Sequence, residues 1–246
     1  MKLFFSPSKG MQYKTLKHFK YSKIQNIPFK EKTDFLLSIL KNFSKDEIST
    51  KLKIKDKILD EIFNIYSNFY SQEEREAIAL YDGVSYRQLE LEKFSKENHN
   101  YVENNVFIFS ALYGILSACV PIRPYRLDMT NKILDISPYD FWRKDIEDYL
   151  LQFKNETFIN IASNEFSKIL NRKIFKIIDI EFRQYDGDKI KNISTEAKKA
   201  RGALLNYLIK NEITCIEKIK AFSALDYKFS PELSSEQSIF FVKKIG

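Results

Sequence analysis

The sequence is short of the residues that mark most specialised protein classes. Its 246 residues include only two cysteines and two histidines. Cys119 and Cys215 are far apart and neither has a Cys-x-x-Cys partner. That argues against a disulfide framework and for a reducing, cytoplasmic setting. His18 and His99 stand alone in polar stretches. Both are expected at the surface, and neither has a second ligand at metal spacing, so no metal is expected. Six glycines and six prolines leave little material for long linkers, and no low-complexity segment or internal repeat is evident. No apolar run reaches the roughly 20 residues that cross a bilayer. Met1-Lys2-Leu3-Phe4-Phe5 runs straight into Ser6-Pro7, too soon for the apolar core of a signal peptide. No membrane association is expected. Walker and GxGxxG loops and a Ser-His-Asp arrangement are also missing, so no cofactor is expected.

What is present points to a folded chain. Apolar residues make up 44%, with 21 Phe and 14 Tyr, enough to bury a sizeable core in one domain spanning 1–246. The net charge is +7, from 40 basic and 33 acidic residues. Such an excess favours polyanions, although a chain rich in Lys, Phe and Ile also reads as the product of an AT-rich genome.

Lys2 to Phe5 predicts a buried first strand, since it does not alternate. Ser6-Pro7-Ser8-Lys9-Gly10 then breaks it, as a loop able to cradle an anion. Thr33–Leu40 and Asp46–Phe69 read as helices. Lys51, Lys53, Lys55 and Lys57 form either a solvated charged surface or a phosphate-facing patch. Tyr86–Phe94 and Lys96–Glu103 also look helical. Ser137 caps a helix with Pro138 at its first position, and that helix carries Trp142. Phe158–Ala162 reads as a buried strand, and Ser163 as the cap of the next helix. Further strands are expected at Lys173–Ile180, Lys189–Ile193 and Ser238–Val242, with a helix over Thr195–Lys210. Strands and helices interleave without a strict βαβ cadence. The fold is therefore expected to be a mixed α/β domain, nearer α+β.

Phe109–Met129 is the most telling stretch. It starts as one of the most apolar runs and ends in Pro121-Ile122-Arg123-Pro124-Tyr125-Arg126-Leu127-Asp128. Charges beside a core are costly unless paired or offered to a ligand, and the prolines stiffen the backbone that carries them. A second signal lies on the helix after Ser194. There Arg201 falls within the apolar arc of Ala197, Ala200, Leu204, Tyr207 and Leu208, with Lys198 on its edge and Lys199 on the far side. It is either a snorkelling or paired arginine, with Asp128 or Glu165 as partner, or a phosphate ligand in a cleft. Gly202 beside it permits close backbone approach. Asp128 and Glu165 each end an apolar segment. Either could pair with an arginine or, if burial raised its pKa, do acid–base work.

Several segments together resemble the YaaA family of bacterial peroxide-stress proteins. They are Ser6-Pro7-Ser8-Lys9, Tyr81-Asp82-Gly83-Val84-Ser85-Tyr86, Ser110-Ala111-Leu112-Tyr113-Gly114-Ile115-Leu116 and Pro124-Tyr125-Arg126-Leu127-Asp128-Met129. Phe141-Trp142, Asn160 through Phe166, Lys198-Lys199-Ala200-Arg201-Gly202, and Phe222 through Tyr227 with Phe229 follow in order. The resemblance covers nearly the whole chain. It implies a single cantaloupe-like domain with a helix-hairpin-helix element and a basic cleft. It also implies binding to duplex or distorted DNA and a role in limiting iron-linked oxidative damage. Lys9, Arg126, Lys198, Lys199 and Arg201 match basic positions of the family motifs. The chain departs from the family at Ala111, commonly Gly in a hairpin-like turn. It departs again at Asp128, usually Glu, at Gly10, usually Thr, and at Phe166, usually Tyr.

The expected function is thus a DNA-binding protein of the peroxide-stress response. Lys9, Tyr113, Arg126, Lys198, Lys199 and Arg201 would contact the nucleic acid, with Tyr113 or Tyr125 stacking on an unpaired base. The second reading is an enzyme acting on a damaged nucleobase or nucleotide, with Asp128 or Glu165 as acid or base. The third, an iron-binding protein, has too few histidine and cysteine ligands. Whether turnover occurs is open, and no protein partner is evident.

Overall fold

Strand β1 (Lys2–Phe5) lies mid-sheet, with Leu3, Phe4 and Phe5 at most 1% exposed. The structure, a computed structural model, describes residues 1–13, 26–187 and 189–244. His18, expected at the surface, lies outside the described residues. β1 is apolar without alternation because both faces are covered. Phe4 stacks on Phe158 at a centroid distance of 4.9 Å and meets Phe109 at 5.3 Å. Burying each such ring contributes about 1.5–3 kcal/mol.

Seven more strands complete an eight-stranded sheet. They are β2 (Val106–Ser110), β3 (Gly114–Ser117), β4 (Thr157–Asn160), β5 (Lys176–Asp186), β6 (Lys189–Lys191), β7 (Lys228–Phe229) and β8 (Ser238–Lys244). The order is β7-β8-β5-β4-β1-β2-β3, with β6 paired to β5. β8, β5, β4, β1 and β2 all run parallel, and β3, β6 and β7 pair antiparallel. The chain is a mixed α/β single domain. Its parallel centre is hidden in the sequence because the crossover from β1 to β2 runs through Ser6–Asn105, far longer than one helix.

That crossover holds α1 (Lys30–Asn42), α2 (Lys45–Leu52), α3 (Asp56–Ser67) and α4 (Lys96–Asn105). α5 (Pro138–Leu150) and α6 (Ser194–Lys210) come later. Ser137 caps α5 through the Asp140 N–H, with proline in its first turn. The long helix expected over Asp46–Phe69 is instead two helices. Lys53 turns left-handed at φ 56°, and its N–H returns to the Ser49 carbonyl, which ends α2. Asp56 is also left-handed, at φ 54°. Tyr86–Phe94, expected to be helical, makes two short 3-10 turns, Tyr86–Gln88 and Leu91–Lys93.

His99 is a correction. It is 7% exposed and its ring meets Phe94 edge-on at 5.8 Å. The surrounding lysine, glutamate and asparagines make its stretch look like a solvent face. Yet α4 is clamped against α6, where Asn98 Nδ2 donates to the Ile209 carbonyl at 3.0 Å.

The segment Ser110–Gly114 joins β2 to β3, and its hairpin-like turn would suit a phosphate only if its backbone N–H groups were free. They are already used: those of Leu112 and Tyr113 donate to Ser110 Oγ at 3.2 and 2.9 Å. Trp142 Nε1 donates to the Ala111 carbonyl at 2.9 Å. The turn is a buried packing element, and Gly114, at φ +75°, leaves room for the Phe29 and Trp142 rings.

Candidate functional site

The chain leaves β1 toward β2 on one side, while β4, β5 and β8 fill the other. Parallel sheets open a crevice beyond the carboxyl ends of their strands where the connections diverge in this way. Here that place lies between β1 and β4, and a cleft of about 350 Å³ occupies it. Its walls come from the loop after β1 (Ser6, Ser8, Lys9), the turn Asp82–Tyr86 and the segment Tyr125–Asp128. The loop after β4 (Ile161, Ser163, Glu165) and α6 (Lys198, Arg201) complete it.

Each wall is fixed by short-range chemistry. Ser6 Oγ accepts the Ser163 N–H at 2.8 Å, and the Tyr86 hydroxyl donates to the Ser6 carbonyl at 2.8 Å. Ser8 Oγ donates to the Asp82 carbonyl at 2.6 Å. Gly10 pairs with Asp82 across a short ribbon, where a Cβ would stand 2.6 Å from the Asp82 oxygen. The loop after β1 is thereby pinned against the Asp82–Tyr86 turn. Ser85 Oγ donates to the Lys198 carbonyl at 2.8 Å, which brings α6 onto the same turn.

Among the charged groups, Lys9 Nζ lies 2.6 Å from Asp128 Oδ2. Lys9 is exposed and Asp128 mostly enclosed, so the pair is half-screened and of modest energy. Asp82 is paired with Arg87 at 2.8 Å. The Glu165 carboxyl has no hydrogen bond or ion pair among the described residues. Burial pushes its pKa above the usual carboxylate value and Asp128 adds to the shift, while Lys9, Lys168 and Lys198 pull against it. Arg201 is mostly buried, and its Nε has no hydrogen-bond partner among the described residues. Burial lowers its pKa from the ordinary guanidinium value, with Glu181 opposing and Arg183 reinforcing. The pairing of Arg201 with Asp128 or Glu165, one of the two expectations for this arginine, does not occur, since Asp128 is held by Lys9.

The structure therefore brings Lys9, Asp128, Glu165, Lys198 and Arg201 to one cleft. Three other candidates lie elsewhere. Lys199 points away from the cleft and pairs with Glu196 at 3.1 Å. Tyr113 is 1% exposed, its ring edge-on to Tyr125 at 5.4 Å, so it has no free face for stacking on a base. Tyr125 lines the cleft but is itself buried, its hydroxyl bonded to those of Tyr81 and Ser110 at 2.7 Å each. Arg126 lies on the opposite side of its segment. It lines an open groove of about 660 Å³ with Ser49, Lys53, Ile54, Lys55 and Asp56, at the junction of α2 and α3. Its Nη1 donates to the Lys9 carbonyl at 3.3 Å. Asp82, Ser6, Ser8 and Ser85 lie in two of the quoted motifs. Nothing in their spacing ranks them as cleft residues, because that role depends on loops distant in the chain meeting.

Among the described residues, no group of three or more His, Cys, Asp or Glu side chains could hold a metal ion. Nor is any described helix long and apolar enough to cross a membrane.

Comparison with known proteins identifies the family of the chain. The family model for peroxide stress protein YaaA matches residues 1–233. The UPF0246 protein FN1762 of Fusobacterium nucleatum is 38% identical over 246 residues, covering 99% of both chains. A UPF0246 protein of Rickettsia felis is 33% identical over 222 residues, 88% of this chain and 90% of its own. One from Crocosphaera subtropica is 31% identical over 234 residues, 92% of this chain and 94% of its own. With both cleft walls and the Arg126 groove inside the matched span, the chain belongs to the peroxide stress protein YaaA family (UPF0246).

Proposed function

We propose that this protein binds double-stranded, mismatched or otherwise distorted DNA in the cytoplasm during peroxide stress. In doing so it limits iron-linked oxidative damage to the DNA. The observation that carries this reading is the groove at the α2–α3 junction. Two helices meet there through Lys53-Ile54-Lys55, with left-handed backbone at Lys53 and Asp56, and Arg126 faces the same space. Exposed lysines on a tight interhelical turn suit phosphate contacts that position a duplex without reading its sequence. The α2–α3 pair is, on this proposal, the helix-hairpin-helix element of a cantaloupe-like fold. The net charge of +7 adds a longer-range attraction.

The test is a salt-titrated binding assay over duplex, mismatched, bubble and single-stranded DNA. Removing one phosphate-binding side chain should lower the slope of log affinity against log salt by about 0.9 on duplex DNA. Lys53→Ala with Lys55→Ala should weaken binding alike for every sequence. An affinity that does not change between low and physiological salt would rule the reading out.

A second reading, an enzyme acting on a damaged base or nucleotide, is favoured by Glu165. A carboxyl raised by burial beside a second carboxylate, Asp128, suits proton donation to a leaving group. Base release from damaged oligonucleotides, abolished in Glu165→Gln, would establish turnover. Binding without release across a lesion panel would refute it.

A further inference from the structure

We infer that the cleft between β1 and β4 receives a single nucleotide swung out of the DNA that lies in the neighbouring Arg126 groove. This rests on the DNA-binding reading and extends it by giving the cleft its own ligand.

The two spaces share a wall. Arg126 lines the groove, while Leu127 and Asp128, the next two residues, line the cleft. Lys9 joins them from the other strand of the wall. Its backbone carbonyl accepts from Arg126, and its ammonium holds Asp128 inside the cleft. DNA whose phosphates rest on Lys53, Lys55 and Arg126 would therefore have its backbone beside the entrance to the cleft.

Size then decides what can enter. Pockets that enclose drug-sized ligands run about 300–1,000 Å³. At about 350 Å³, the cleft admits one nucleotide and excludes a duplex. The chemistry of the walls fits both halves of a nucleotide. Arg201 carries a buried Nε with no partner among the described residues, and Lys198, one helical turn earlier, lines the same space. Together they suit a phosphate, which would supply the acceptor that Arg201 lacks. Glu165, likewise without a partner among the described residues, presents a polar edge for a base. Leu127, Ile161 and Phe166 supply apolar wall. Enzymes and binding proteins that take a base out of the stack use this same combination of a tight pocket and polar contacts to the base edge.

The source of the nucleotide, DNA or the free pool, is separated by experiment. A duplex carrying one 2-aminopurine is titrated with the full-length protein, with anisotropy reporting binding and 2-aminopurine emission reporting unstacking. A second duplex with thymine at that position is probed with permanganate. Saturating wild-type protein should raise the emission severalfold and make the thymine reactive. Arg201→Met and Lys198→Ala, at protein concentrations that saturate the anisotropy change, should lose both signals. Binding with no emission rise and no permanganate reactivity overturns the inference and leaves the DNA reading standing. Signals that persist in both cleft variants overturn it as well. No anisotropy change at any salt overturns both. In the last arm, free 2-aminopurine deoxyriboside monophosphate should bind far more weakly than the duplex. If it binds as tightly as duplex, and only when Arg201 is present, the ligand is a free nucleotide and extrusion is wrong.

Discussion

Gly202 and Ser85 touch so closely that a Cβ on Gly202 would stand 2.0 Å from the Ser85 carbonyl oxygen and 2.8 Å from its carbonyl carbon. This contact seats α6, and with it Arg201 and Lys198, against the turn that forms one wall of the cleft. Alanine is normally better than glycine inside a helix by about 1 kcal/mol. Here the obstruction is backbone, which no side-chain rotation relieves, and overpacking costs about 1–3 kcal/mol. The Ser85–Lys198 hydrogen bond, worth about 1 kcal/mol, would break as α6 backs away. Gly202→Ala should therefore destabilise the protein by about 1–3 kcal/mol in urea denaturation. An unchanged or raised midpoint would show that the helix can shift at no cost.

His99 should make the protein acid-sensitive. Burial lowers its pKa from 6.5 to about 4. The unfolded chain then binds a proton below pH 6.5 that the folded chain refuses until about pH 4. Stability from this group is thus fully present above pH 6.5 and falls as pH drops through that window. The loss is on the order of 1–3 kcal/mol, at about 1.4 kcal/mol per pH unit less the share screened by solvent. His99→Phe should flatten this part of the curve when thermal midpoints are compared between pH 7 and pH 4.5. A wild-type midpoint that is flat over the same range would contradict the buried, neutral imidazole.

Glu165 works with the opposite sign. Its folded pKa lies above the ordinary carboxylate value because of burial and Asp128. The folded state therefore holds a proton that the unfolded state releases first, and stability falls as pH rises from the usual carboxylate range through the raised value. Glu165→Gln removes that loss. At pH 7 the variant should be at least as stable as wild type in urea denaturation. A variant less stable than wild type would mean that the carboxyl makes a favourable contact in the folded protein.

The cleft is more legible in the sequence than the groove. Arg201 and Asp128 stand out because charge inside an apolar pattern needs a reason, and both line the cleft. Lys199 looks equivalent to Lys198 in the motif. Helical phase already puts it on the far side of the apolar arc, and the structure turns it toward Glu196. Arg126 and Asp128 lie two apart on a segment without regular secondary structure. In sequence they read as one site, but they face two spaces on either side of Leu127. The α2–α3 break is invisible because Lys53 and Asp56 adopt left-handed backbone that their residue types do not announce. Without glycine at that turn, the helical periodicity of Ile54, Ile58, Ile62 and Ile65 runs on unbroken. Tyr113 fails as a stacking residue for the reason aromatics often mislead: the ring is needed in the core, here against Tyr125.

Arg201 should prove to be a residue kept at a cost to stability. A buried guanidinium whose Nε finds no acceptor among the described residues carries a desolvation penalty of about 1–3 kcal/mol, offset only in part by the charge of Glu181. Its neighbours on α6 are apolar: Ala200, Leu204 and Leu205 are each at most 1% exposed. Methionine can follow the same path with three rotatable bonds and no polar atom to satisfy. Replacing buried charge by well-packed apolar side chains is often neutral or stabilising. Arg201→Met should then raise the unfolding free energy of the free protein, measured in urea, by up to about 3 kcal/mol. The same change should abolish the stabilisation that saturating DNA confers on the cleft, visible as slower amide hydrogen exchange at Ser6–Lys9 and Asp82–Ser85. A variant less stable than wild type would mean that the Arg201 guanidinium is already satisfied in the free protein, and it would remove the argument that the cleft awaits an anion.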